Sequence, residues 1–394
     1  MFLELLLATL CGILIGTFTG IFPGIHVNLL STFILSLSPL LLPYVSPLIL
    51  CACILSIAIT HTFLDVIPTT FLGIPDAESA YMLFPSQQLV LQGKAYQAIF
   101  LSTFGALGSF LLALLCIPLL LFLTEKIYPL LEPFIGLILL VLCIFLFTCE
   151  KEKLWALFVF FLSGTLGFTV LSLPVHEGLF PLFSGLFGVS ALLLSLKTSC
   201  HIPEQQQDVP TLENAMKAIP CATVTGWIAS FMPGLGPAQA ATISAQFVRL
   251  SDTGYIILLG GLSTVNTLLA LLSFYLFEKT RSGVLVSIAA LMHFDGYSFA
   301  VLLVVSLIAA GLAAFLTLYS SKYFAIWMRR VNYFYLNMSI LCIIVLFTFF
   351  LSGFLGLAIL LVSTALGVLP EYSGIAKSHM MGCLLLPVLV FFIL

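Results

Sequence analysis

Apolar runs long enough to cross a bilayer, roughly 17–25 residues each, succeed one another along the whole chain. Two of these runs are interrupted by the same dipeptide, at Pro23-Gly24 and at Pro233-Gly234. Pro and Gly break helices, and a broken helix at membrane depth survives only where protein or a water-filled cavity satisfies its freed backbone groups. In secondary transporters, a matched pair of interruptions in the two halves of a chain points to the substrate site.

The class follows directly. Hydrophobic residues make up 61% of the 394 positions and charged residues 7%, with a mean hydropathy of +1.24. Soluble domains carry about 25% charged residues, so the expected fold is an all-α polytopic membrane protein. Short alternating strands are missing, which argues against a β-barrel. A net charge of −3 is too small to imply nucleic acid or any other strongly charged partner, so none is expected. Met1 to Ile15 lacks a basic start and a small-residue cleavage site, so it is read as a first span and not a signal peptide. The ten cysteines form no Cys-x-x-Cys pair and are read as small buried hydrophobes.

The expected apolar segments lie near 3–21, 26–42, 46–64, 97–123, 134–149, 154–173 and 178–196, then 214–231, 237–250, 255–277, 283–293, 297–318, 334–351, 353–369 and 379–394. Those at 26–42, 237–250 and 283–293 are short enough to be half-helices or re-entrant segments. The longest polar stretch, Lys197 to Asn214, separates two similar halves. Offset by 189 residues, Ser163-Gly164, Gly167, Gly178, Pro181, Ser184 and Gly185 meet Ser352-Gly353, Gly356, Gly367, Pro370, Ser373 and Gly374. Offset by 210, Cys11, Gly16, Pro23, Gly24 and Thr32 meet Cys221, Gly226, Pro233, Gly234 and Thr242. The expected organisation is a first repeat over 1–196, a polar loop over 197–213 and a second repeat over 214–394. Lys151 and Lys153 flank one repeat where Lys322, Arg329 and Arg330 flank the other; with inverted repeats, the positive-inside rule makes the latter loop cytoplasmic.

Each break starts a new helix whose free N–H groups and positive dipole end suit an anion. After Pro23-Gly24 come Asn28, Thr32 and Ser36; after Pro233-Gly234 come Gly236, Gln239, Thr242 and Gln246. The plainer reading is a pair of kinks with polar side chains gluing helices. His61 and Asp65 share a helix face and are candidates for coupling to an ion, H+ or Na+, because ionisable groups within spans usually face a cavity. Asp65 at a hydrated interface is the competing reading. Asn266 stands in the matching region of the second half, as helix glue or as a ligand contact. His176-Glu177 and His293-x-Asp295 look like further buried pairs. His-Glu-x-x-His, Gly-x-Ser-x-Gly and P-loop sequences are absent, so no metal, cofactor or enzymatic chemistry is expected.

On GIFPG (20–24), FMPGLGP (231–237), the block TTFLGIPDAESAYMLFPSQQLVLQGKAYQAI (69–99) and SGTLGF (163–168), the chain resembles the large membrane subunit (TctA) of the tripartite tricarboxylate transporter family. It departs from the family at Asp76, where a Gly is usual, and at Phe84-Pro85, where Asp-Gly is usual. It thus resembles a divergent, compact member, of the kind an archaeon would carry. The resemblance implies ion-driven uptake of citrate-like carboxylates, with a small membrane subunit and a substrate-binding protein as partners. The expectation is therefore a permease of the cell membrane, surrounded by lipid, with a small organic anion between the two helix tips. Two other readings stay open: a polyprenyl-phosphate translocase, whose ligand is also an anion, and an intramembrane enzyme or scaffold.

Overall fold

The computed structural model describes residues 2–22, 27–72, 83–175, 177–197, 203–232, 236–280, 282–328 and 330–393. Pro23, Gly24, Pro233 and Gly234, as well as Asp76, Glu78 and His176, lie outside the described residues. Among the described residues the secondary structure is entirely helical.

The first half contains α1 (Phe2–Ile21), α2 (Val27–Leu41), α3 (Pro47–Leu64), α4 (Val66–Leu72), α5 (Leu83–Leu91), α6 (Ala95–Leu115), α7 (Ile117–Leu131), α8 (Ile135–Cys149) and α9 (Lys153–Ser172). It closes with α10 (Leu179–Phe183), a π-helical segment (Ser184–Val189) and α11 (Ser190–Lys197). The second half contains α12 (Ala215–Phe231), α13 (Pro237–Phe247), α14 (Asp252–Phe277), α15 (Gly283–Leu291), α16 (Gly296–Met328), α17 (Tyr333–Gly367), α18 (Leu369–Ser373), a 3₁₀ turn (Lys377–Met381) and α19 (Gly382–Ile393).

Helix starts follow local chemistry. Pro47 and Pro237 open α3 and α13, where a missing N–H costs nothing. Ser251 Oγ accepts from Gly254 N at 3.3 Å, and Asn332 Oδ1 accepts from Phe334 N at 3.0 Å, capping α14 and α17. The expected segment 97–123 divides at Cys116, because Pro118 cannot continue the hydrogen-bond ladder of α6. α17 runs through both 334–351 and 353–369. Between them Gly353 takes φ 63°, ψ −158°, a conformation that only glycine adopts easily.

Among the described residues, eight helices are long and apolar enough to cross a membrane, and the chain is a multi-pass membrane protein. α16, with 33 residues, spans about 50 Å, well over the ~30 Å hydrocarbon core. Its exposed Tyr319, Tyr323 and Trp327 provide the amphipathic rings that favour the membrane–water boundary.

At the centre lie α3 and α14, whose apolar windows are 78% and 83% buried against 28% for α1. α1 runs along α3, and α12 runs along α14; α16 then packs on α3, and α6 on α14. The α1–α3 contact is close because Gly12, Gly16 and Gly20 form a stripe. A Cβ on Gly16 would sit 2.7 Å from Ile57 O and 2.8 Å from Thr60 Cβ. A second core joins α8, α9, α12, α13, α17 and α19. There α9 packs on α19, and α17 on the π-helical segment.

The polar linker is docked from Pro203 onward. Gln205 Oε1 accepts from Ala95 N at 2.9 Å, its Nε2 donates to Val90 O at 3.1 Å, and Gln206 N donates to Gly93 O at 2.7 Å. One glutamine thus satisfies an orphan donor at the start of α6 and adds a second hydrogen bond to Val90 O, which already accepts from Gly93 N at 3.0 Å.

Candidate functional site

The second break has the more complete geometry. Trp227 Nε1 donates to Thr124 Oγ1 at 2.7 Å, and the ring of Phe231 meets Tyr128 edge-on at 6.0 Å, so the end of α12 is anchored to α7. α13 folds back along α12, held by Ser244 Oγ donating to Thr225 Oγ1 at 2.8 Å. Gly236, half-buried, precedes the first turn of α13 in an extended conformation.

Gln239, at the third position of α13, has no solvent exposure. Its Oε1 accepts from Gly236 N at 3.0 Å, the reach-back half of a capping box. That bond holds the amide across the helix tip. The other end of the amide, Nε2, is buried without a hydrogen-bond partner. A buried donor left unpaired costs stability, and this one sits where helix N–H groups already favour negative charge. Met381 closes one side, its Cε 3.8 Å from where a Gly236 Cβ would be. Thr242, one turn on and half-buried, hydrogen-bonds the phenol of Tyr255 on α14.

The polar stripe of α2 is more open. Asn28 and Thr32 are exposed, and Thr32 Oγ1 donates to Asn28 O at 2.9 Å. Asn28 packs against Gly283, which begins α15. The two polar stripes thus have separate surroundings: α15 beside α2, and the 377–381 turn beside α13.

His61 is buried, and its Nδ1 meets Thr19 Oγ1 at 3.2 Å across the α1–α3 contact. Asp65 is half-buried just after α3, and its backbone carbonyl accepts from Thr69 Oγ1 at 2.8 Å. Asn266 is half-buried on α14 beside Gly226. His293 and Asp295 are exposed, contrary to the buried pair expected from sequence. They lie in the loop before α16, where Asp295 Oδ1 accepts from Ser298 N at 2.9 Å as a helix cap. That bonding to Ser298 holds the Asp295 carboxyl below its ordinary range. Glu177 is likewise exposed.

Sequence reasoning missed one pair made of a buried histidine and a half-buried glutamate. His379 Nε2 lies 3.0 Å from Glu150 Oε2, with side chains 4% and 17% exposed. Glu150 Oε2 also accepts from Ala376 N at 3.3 Å, and the His379 ring stacks on Phe147 at 5.7 Å between centroids. The partners are 229 positions apart, in stretches that carry no shared motif.

A profile described as the Tripartite tricarboxylate transporter TctA family matches residues 6–382. An uncharacterized protein of Methanocaldococcus jannaschii is 33% identical over 373 residues, covering 91% of this chain and 93% of that protein. No solved structure matches the chain.

Proposed function

The chain belongs to the Tripartite tricarboxylate transporter TctA family, and on that premise we propose that it is a secondary transporter of a small di- or tricarboxylate. One carboxylate of the substrate binds at the start of α13, taking hydrogen bonds from Gln239 Nε2 and the first free backbone N–H groups. The observation that carries this reading is the buried, unpartnered amide nitrogen at that tip. A carboxylate oxygen removes its desolvation penalty, and the helix end adds a favourable field.

The proposed architecture is two repeats, 1–196 and 214–394, joined by the linker 197–213. The pairing of helices supports it: α1 on α3 corresponds to α12 on α14, and α16 on α3 corresponds to α6 on α14. Such an exchange is what two copies related by a pseudo-two-fold produce. At 11 residues, α13 is about 16 Å long, half the hydrocarbon core, in keeping with a re-entrant hairpin around Pro233-Gly234. Pro23, Gly24, Asn28 and Thr32 would form the corresponding tip, opposite Gly236, Gln239 and Thr242. Rocking of one repeat against the other would then expose the site alternately to each side. His61, Asp65 and Asn266, on or beside the two central helices, are candidate contacts for a coupling cation. In keeping with the tripartite arrangement of the family, a small membrane subunit and a substrate-binding protein are the proposed partners, and the cell membrane is the proposed location.

One observation favours the lipid-phosphate alternative. A groove of about 700 Å³ between α8, α9 and α19 is lined by apolar side chains, including Cys143, Phe160 and Leu389, with Lys153 beside them. It offers an acyl chain a bed but gives a phosphate a single cation. Labelled citrate uptake into proteoliposomes under an imposed ion gradient separates the readings. Accumulation supports the carboxylate permease; movement of a polyprenyl phosphate without citrate uptake overturns it.

A further inference from the structure

We propose that Glu150 and His379 form a proton-binding pair that couples proton movement to occupancy of the α13 tip, an inference that rests on the carboxylate-transport reading above. His379 is buried and Glu150 half-buried, and the pair joins the end of α8 in the first half to the 377–381 turn in the second. That turn is short and reaches both places: His379 holds Glu150, and the Cε of Met381, two residues on, lies 3.8 Å from where a Gly236 Cβ would stand at the α13 tip. A change in charge at the pair would act on the tip through the short 3₁₀ turn between them.

The charge balance gives the coupling its sign. A neutral imidazole beside a carboxylate carries one net negative charge; adding a proton to the ring makes the pair neutral. A second carboxylate, arriving as substrate, is repelled by the unprotonated pair and tolerated by the protonated one. Substrate binding therefore raises the pair's affinity for a proton, and by reciprocity the proton raises affinity for substrate. The proton enters with the anion on one side and leaves from the ring as the anion departs on the other. Burial disfavours the imidazolium while Glu150 favours it, two opposed influences that suit a group required to gain and lose a proton each cycle.

The charged groups around the pair are Lys153 on α9, Lys151 and Glu152 in the preceding loop, Lys377 on the same turn and Glu371 on α18. Lys151, Glu152, Lys153 and Glu371 are exposed, whereas Lys377 is half-buried. α13 and α19, the other elements beside the turn, carry no charged residue. Proton coupling then resides at this pair, and His61, whose ring meets Thr19 in a helix contact, is left as a candidate contact for a cation other than the proton.

The test uses purified full-length protein in proteoliposomes with citrate as probe. Wild type, His379→Gln and Glu150→Gln are compared in two assays: accumulation driven by a pH gradient, and citrate–citrate counterflow at equal pH. Counterflow at saturating citrate needs no net proton movement and masks the lower affinity of the permanently negative His379→Gln pair, so a coupling role predicts that driven accumulation falls about tenfold while saturating counterflow persists. A structural role lowers both together. Either that outcome or unchanged driven accumulation in both variants overturns the proposal. Infrared pH-difference spectra without citrate provide a separate reading of the pair. Carboxylate and imidazole bands that titrate together in wild type, and vanish in both variants, support the site even if wild type moves no citrate, in which case only the transport reading fails. Spectra unchanged by the substitutions overturn the pair itself.

Discussion

Replacing Gln239 with Met should make the ligand-free protein slightly more stable and unable to respond to citrate. Gln239 is fully buried, and its unpaired Nε2 costs about 1–3 kcal/mol. Methionine removes that penalty. It also removes the 3.0 Å bond from Gly236 N to Oε1, worth about 0.5–1.5 kcal/mol; the Gly236 N–H left behind belongs to a half-buried residue, so its own loss is moderated. Met and Gln have similar helix propensity and similar volume, so neither a cavity nor a backbone preference tips the balance. The net is about 1 kcal/mol in favour of the variant, or roughly 1–2 °C in Tm for a chain of this length. Thermal unfolding in detergent, followed by tryptophan fluorescence with and without citrate, gives both readings. Wild type should gain Tm with citrate, because a ligand bound only by the folded state stabilises it; Gln239→Met should start higher and gain nothing. A variant that melts several degrees below wild type would show that the amide is structural glue. A full citrate shift in the variant would show that the ligand binds elsewhere.

Three further outcomes follow from the geometry. Gly93→Ala places a Cβ on a φ of +77° and 2.6 Å from Glu204 O, so it should cost about 1–3 kcal/mol and speed limited proteolysis between Pro203 and Asn214. Gly16→Ala drives a Cβ into Ile57 O and Thr60 Cβ, neither of which is a flexible end; α1 must move off α3, with a loss of about 1–3 kcal/mol visible as a lower Tm. Asp295 has its carboxyl pKa lowered by Ser298, so its cap on α16 contributes above the ordinary Asp range and is lost as pH falls through the lowered value. Asp295→Ala should lower Tm at neutral pH and lose that acid-dependent step, whereas Asp295→Asn should keep the cap.

Much of the membrane architecture was legible because its causes are local. Apolar length placed α1, α3, α9 and α14 within a few residues, and Pro237 marked the start of α13 because proline is tolerated at a first helical turn and rarely beyond it. Gln239 was legible as a polar residue after a break. Its buried, half-satisfied state was not, since that depends on α12, α14 and Met381 closing around it. The stripe Asn28–Thr32 had the same periodic signature as Gln239–Thr242, yet Asn28 and Thr32 are exposed. Periodicity says which face is polar, and only neighbours say what covers it. His293 and Asp295 misled for the converse reason: an apolar flank suggested burial, but the pair lies in a loop, where Asp295 serves as a cap.

By itself the sequence determined that this chain must live in a membrane, where several of its helices begin, and that a Pro-Gly pair recurs in the two halves, because hydropathy, proline and glycine act over a few residues. The tertiary structure alone decided which helices touch, that the linker from Pro203 is strapped onto α5 and α6, and that Glu150 meets His379 across 229 positions. Those are matters of long-range packing, in which small residues set how closely two helices approach and burial decides which polar groups are left with work to do.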